Sequence, residues 1–174
     1  SIRGANPHAD EAARTSLALS VKDQAENLMI VDLLRNDIGR VTEPGSVKVS
    51  RLFDIETYPT IHQMTSTITA QLRGGLDAVD VLYATFPCGS ITGAPKIRAM
   101  EIIAQTEQRR RGAYTGSMGF IDPNGTAAFN VLIRTLEIDG AARNARLGLG
   151  SGIVADSRPA QEWAECIAKA AFIR

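Results

Sequence analysis

The sequence has no net charge to offer: nineteen Lys plus Arg stand against nineteen Asp plus Glu in 174 residues. A balanced chain builds no overall field toward nucleic acid or an acidic membrane, so any small anion must be held by a local site. Cysteine is nearly absent. Cys88 and Cys166 make neither a disulfide framework nor a Cys-x-x-Cys metal motif, and a reducing, cytoplasmic compartment is the simpler reading. No apolar run reaches the length of a membrane span and no signal-peptide pattern opens the chain. The length suits one domain with a substantial core. The chain starts at Ser1 in an Ile2-Arg3-Gly4 loop and reads as a piece of something longer.

What is present is organised around Phe86-Pro87-Cys88-Gly89-Ser90-Ile91-Thr92-Gly93-Ala94-Pro95-Lys96. This Gly- and Pro-rich loop runs into a helical pattern, with Pro95 suited to the first turn. Helix N-termini expose free N–H groups that favour anions, although an ordinary turn before a helix has the same appearance. Ala94-Pro95 interrupts the Gly-Lys-Ser/Thr juxtaposition of a nucleotide-binding loop, which excludes that reading.

Taken in order, Asp10 reads as the N-cap of one long helix through Leu17, Val21, Ala25 and Met29 to about Arg35. Residues 46–73 carry strand chemistry, broken near Glu56 to Pro59, with His62 opening the second strand. A lone His is more often structural than catalytic. Asp77 caps a short helix, and the helix after the organising loop extends to Arg109-Arg110-Arg111, cations suited to its C-terminus. Strands at 114–121, 127–138 and 145–154, separated by Asp122-Pro123-Asn124-Gly125 and Asp139-Gly140, predict an antiparallel meander. Within it Arg134 interrupts an apolar run, and a buried Arg needs an anion. Gly148-Leu149-Gly150-Ser151-Gly152 marks either a close approach by a ligand or a bulge. A last helix runs from Pro159 to the end.

Two helices far apart in sequence each carry an acidic pair three residues apart: Asp23 with Glu26, and Glu162 with Glu165. Each alone is an ordinary solvated edge. Brought together, four carboxylates would need a cation, and all-oxygen donors favour Mg²⁺ before Ca²⁺. Residue chemistry thus reaches a mixed α/β domain with a possible Mg²⁺ and anion site.

Four ordered motifs carry a family resemblance: Glu26 to Asp37, Gly89 to Met100, Arg111 to Gly116 and Gly152 to Ser157. Together they resemble the chorismate-utilising enzymes, the group of anthranilate synthase component I, aminodeoxychorismate synthase component I, isochorismate synthase and salicylate synthase. The resemblance implies an α/β (α+β) fold in which helices cover two packed antiparallel sheets, with residues 1–174 forming the C-terminal part of its chorismate-binding domain. It implies Mg²⁺ held by Glu26 and Glu165, supported by Asp23 and Glu162. Tyr114, Arg134 and the amides around Gly150 and Gly152 fall where the family binds the enolpyruvyl carboxylate. Ser90 falls on a substrate-contacting position, Lys169 near the metal-bound carboxylate, and His62 on a histidine close to the ring.

The Gly89-Ser90-Ile91-Thr92-Gly93 loop is most similar to the branch that forms 4-amino-4-deoxychorismate for folate, with ammonia from a glutamine amidotransferase. Anthranilate formation is the alternative, and a non-catalytic Mg²⁺- or chorismate-binding fragment a further one. A water-adding enzyme of the same fold is the remaining rival. The family's Pro-Ile-x-Gly-Thr motif, whose variable position resembles a nucleophilic lysine in the aminating branch, has no counterpart in these residues. The chain alone is therefore expected to be inactive. Cys88 and Cys166 depart from the family's usual residues as small-residue variation. An uncovered apolar face, or a homodimer of the fragment, is expected too.

Overall fold

The computed structural model describes residues 2–155 and 157–171. Asn6 begins the helical region: its Oδ1 accepts the Ala9 N–H at 2.9 Å, and Pro7 takes the first helical position of α1 (Pro7–Ala18). The single long helix expected from Asp10 is two helices. Ser20 caps a second one, α2 (Val21–Gly39), through its Oγ and the Asp23 N–H at 3.2 Å. Gln24 seals the junction by donating to the Ala18 carbonyl at 2.7 Å. Local capping by Ser20 overrides a continuous apolar periodicity. Asp10 is not a cap; it lies in the first turn of α1 and accepts from the Gly4 N–H and the Arg3 guanidinium.

Strands β1 (Lys48–Thr57) and β2 (His62–Thr69) pair antiparallel, from Lys48 opposite Thr69 to Thr57 opposite His62. The ladder slips between Arg51 and Asp54, where Phe53 has φ +59°. Ser66 Oγ repairs that bulge by accepting the Phe53 N–H at 3.1 Å. The same hydroxyl donates to Asn27 Oδ1 at 2.5 Å and ties the hairpin to α2.

Asp77 caps α3 (Ala78–Thr85) as expected, and Asp80 completes a reciprocal capping box that the sequence reading did not include. The organising loop then makes one short turn, α4 (Gly89–Thr92), pressed so closely on α2 that a Cβ at Gly89 would lie 2.9 Å from Leu33 Cδ2. Helix α5 (Lys96–Thr106) follows, with Pro95 at its N-cap rather than inside its first turn. Lys96 is not offered to an external anion. Its Nζ meets buried Asp37 Oδ2 at 2.5 Å and the Thr85 carbonyl at 3.4 Å. Arg40 takes the other oxygen of Asp37 at 3.1 Å and also reaches the Ala84 carbonyl. Helix α5 stops at Thr106, because Glu107 turns extended, so the Arg109–Arg111 run does not extend the helix.

The expected meander is two separate hairpins. Strands β3 (Ser117–Ile121) and β4 (Ala127–Val131) form one, and β5 (Thr135–Asp139) and β6 (Asn144–Gly148) the other. The long strand 127–138 breaks at 132–134, where Arg134 adopts φ +51° in an exposed bend. Residues 149–154 are irregular rather than the end of a strand. Helix α6 (Pro159–Lys169) closes the described fold, and the expected continuation to residue 174 lies partly outside the described residues.

Burial is thin. Leu17, Val31 and Ala84 are the buried apolar side chains among the described residues. The chain exposes 12283 Å², whereas a compact monomer of 18.7 kDa exposes roughly 8,300 Å². Tyr83 is 84 % exposed, Ile97 76 % and Trp163 68 %. The uncovered apolar face expected from the sequence is therefore present. No helix of the described residues is long and apolar enough to cross a membrane.

With so little core, polar pins matter. Asp37→Asn should lower stability by about 3–5 kcal/mol in denaturant titrations, since it strands the mostly buried Lys96 charge. The double variant Asp37→Asn with Lys96→Met should recover most of that loss. A second pin responds to pH. The Arg3 guanidinium first, then the Gly4 amide and His62, hold Asp10 well below the usual carboxylate range. A depressed carboxyl stabilises the fold above its unfolded pKa of about 4 and loses that effect as pH falls toward its folded value. Acid titration of Arg3→Gln should thus show a shallower loss of stability below about pH 4 than the parent chain.

Candidate functional site

The expected site residues lie on the turn after α5, the loop after β6 and the helices α2 and α6. Gly112, at φ +69°, lets the chain turn beneath Glu137, whose Oε1 accepts the Ala113 N–H at 2.5 Å. Any Cβ at Gly112 would strike that carboxylate. The turn aims Tyr114 across the glycine run. Its ring covers Gly148 so closely that a Cβ there would overlap it, and its Oη would lie 2.7 Å from a Cβ at Gly150. The sequence left this run open between a ligand and a bulge. At Gly148 and Gly150 the close neighbour is a side chain of the protein itself. Gly152 has no atom of the described residues within 4 Å of a Cβ position. Burial pushes the Tyr114 phenol up, opposed by the positive charge of Arg111.

Helix α6 locks onto the same run. Lys169 Nζ donates to the Gly150 carbonyl at 2.9 Å and pairs with Glu165 at 2.6 Å. Glu162, one turn earlier, is held below the usual carboxylate range by the Ser157 and Ser151 hydroxyls, with Lys22 and Lys169 adding positive charge. Ser157 Oγ also accepts the Val154 N–H at 3.0 Å, which shapes the loop after Gly152. Lys22 also pairs with Glu26 at 3.8 Å. Asp23 is exposed, and its N–H receives the Ser20 cap.

The four carboxylates are hard oxygen donors of the kind Mg²⁺ takes, two on α2 and two on α6. They are not gathered as a preformed cage: no group of three or more His, Cys, Asp or Glu suited to a metal occurs among the described residues. Lys22 and Lys169 serve Glu26 and Glu165 as counter-ions. Donor chemistry fits a divalent ion held by two carboxylates, one from each helix.

Other expected site residues fare differently. His62 is fully buried, with Nδ1 3.0 Å from Thr57 Oγ1 and Nε2 3.0 Å from Asp10 Oδ1. These two contacts tie the imidazole to β1 and to α1. Its neighbour Gln63 takes the opposite, exposed face of β2. Arg134 is exposed instead of strand-buried, and it makes no hydrogen bond or ion pair among the described residues. Burial therefore does not demand an anion there, although its fork is free to take one. Ser90 is exposed on α4 with Cys88 Sγ 3.1 Å from its Oγ. Sequence reasoning missed Glu137, Ser151 and Ser157, which position the turn and the acidic pair. Gly112, which needs a left-handed backbone, was the available signal for the first. Asp156, in the fourth motif, lies outside the described residues.

Gly148→Ala tests the packing of this region. A Cβ driven into the Tyr114 ring should cost on the order of 1–3 kcal/mol in thermal or denaturant unfolding. Gly152→Ala, where no described atom lies within 4 Å of the new Cβ, should cost far less.

Residues 2–174 match the family described as chorismate binding enzyme. Aminodeoxychorismate synthase component 1 of Klebsiella aerogenes is 52% identical over 169 residues, 96% of this chain and 37% of that protein. Anthranilate synthase component 1 of Methanothermobacter thermautotrophicus is 45% identical over 97% of this chain and 36% of its own length. The crystal structure of anthranilate synthase component I from Streptococcus pneumoniae superposes with a TM-score of 0.86 at 39% identity, covering 94% of this chain and 37% of that one. The chain thus spans little more than a third of these relatives. The family match covers nearly the whole chain and the scaffold is shared with a solved relative, and the chain belongs to the chorismate binding enzyme family.

Proposed function

We propose that this chain is the C-terminal, carboxylate-binding part of a cytoplasmic enzyme that aminates chorismate to 4-amino-4-deoxychorismate, a precursor of para-aminobenzoate and folate. Ammonia comes from a glutamine amidotransferase subunit or domain. The observation that carries the branch is the difference in identity over nearly the same residues: 52% to an aminodeoxychorismate synthase against 45% to an anthranilate synthase. The Gly89-Ser90-Ile91-Thr92-Gly93 loop supports the same branch.

In this reading residues 1–174 act as one unit. Arg134 offers a free guanidinium fork to the enolpyruvyl carboxylate, a geometry that Lys cannot reproduce. The Tyr114 hydroxyl and the amides around Gly150 and Gly152 would contact the same carboxylate, and the Tyr114 hydroxyl lies beside Gly150. Lys169 holds the Gly150 carbonyl and thereby the loop's shape. Ser90 contacts substrate from α4. Glu26 and Glu165 would hold Mg²⁺, with Asp23 and Glu162 beside them, and the ion would offset the negative charge of the ring carboxylate. His62 would stand close to the ring, its imidazole held in place by Asp10 and Thr57.

The anthranilate reading keeps one specific support, the structural match to an anthranilate synthase at 39% identity. Product analysis separates the two. The full-length protein carrying this chain, given chorismate, ammonia and Mg²⁺, should form aminodeoxychorismate, and Glu165→Gln should abolish Mg²⁺-dependent turnover while leaving thermal unfolding essentially unchanged. Anthranilate as the product would overturn the branch. Unaltered Mg²⁺ dependence in both Glu26→Gln and Glu165→Gln would overturn the metal assignment.

A further inference from the structure

Helix α5 ends at Thr106, and the chain then leaves in an extended conformation through Glu107. Four residues later Arg111 turns back. Its Nε and Nη2 take both oxygens of Glu107, at 2.8 and 2.6 Å. A bidentate pair of this kind fixes the plane of the guanidinium as well as its position. The remaining nitrogen, Nη1, is thereby held 3.5 Å from the Ile91 carbonyl and 3.5 Å from Thr115 Oγ1.

Those two acceptors belong to different parts of the site. Ile91 adjoins Ser90 on α4, a single turn whose last carbonyls have no partner within the helix. Thr115 adjoins Tyr114 and sits at φ +69°, a conformation that costs a β-branched residue free energy and persists only where its surroundings hold it. The Leu132 carbonyl holds its N–H from one side at 2.7 Å, and Arg111 faces its hydroxyl from the other. The geometry points to Arg111 as a positioning residue: locked on Glu107, it links the Ile91 carbonyl, beside Ser90, to Thr115, beside Tyr114, and so sets the spacing of two residues assigned to substrate. This rests on the reading of Ser90 and Tyr114 as part of a chorismate site. A half-exposed ion pair contributes little to folding, so its effect belongs to binding.

The test compares Arg111→Ala and Arg111→Lys with the parent in the full-length protein, measuring kcat and KM for chorismate, thermal unfolding, and the response to added guanidinium ion. Arg111→Ala should raise KM on the order of 10-fold with kcat nearly unchanged. Unfolding should shift little, and guanidinium ion should lower KM again. Arg111→Lys should recover only part of the loss, since one ammonium cannot hold both Glu107 oxygens and reach both acceptors. A KM for Arg111→Ala within about twofold of the parent, or a fall in kcat alone, would overturn this role. Full recovery by Lys would show that charge suffices and would overturn the role of the fork. A parent enzyme that neither binds nor turns over chorismate would overturn the functional reading and this inference together.

Discussion

One buried carboxylate, Asp37, does much of the joining in this fold. It sits near the end of α2, takes Lys96 from the start of α5 and Arg40 from beyond α2, and through them reaches the carbonyls of Ala84 and Thr85 at the end of α3. Four segments therefore meet at one charge. A buried ion pair adds little net stability over apolar packing, but its geometry is demanding. Any other setting of α5 on α2 would take Lys96 away from its carboxylate. Ser90 stands on α4 between these anchors, so its position is fixed by charges that never approach it.

The same logic recurs elsewhere. Arg3, Asp10, His62 and Thr57 tie the first loop to the hairpin, and Asn27 and Ser66 tie the hairpin to α2. Such polar pins set register where apolar burial is scarce. The excess surface of roughly 4,000 Å² over a compact monomer matches the other fact about size, that relatives extend well beyond the span of this chain. Apolar side chains such as Ile97 and Trp163 are of the kind that more polypeptide covers.

Much of this was legible in the sequence, and the failures share a cause. Asp77 as a cap, the strand break before His62, and Pro159 opening the last helix are local signals, and each appears as expected. Periodicity misled where a short-range side-chain bond outvoted it: Ser20 divided the first helix, although its apolar spacing runs through. Arg134 was read as buried because apolar residues precede it, yet a left-handed backbone at that residue turns the chain out of the strand. No composition rule marks an arginine for φ +51°. His62 was assigned through resemblance, but neighbours distant in sequence decided its environment. Asp10 lies fifty-two residues away, beyond the reach of any local pattern.

The glycine run shows how far pattern reading goes before geometry must decide. Glycines in a strand-like segment say only that something comes close. Here Tyr114 comes close to two of them, and Lys169 holds the carbonyl of the second. Hairpin, turn and α6 are thus coupled through backbone positions that tolerate no side chain. Because Lys169 also pairs with Glu165, the carboxylate on α6 is referenced to the same loop that carries the amides near Gly152. A single lysine, bonded to a carbonyl on one side and a carboxylate on the other, thus fixes the loop after β6 against α6 without any apolar burial between them.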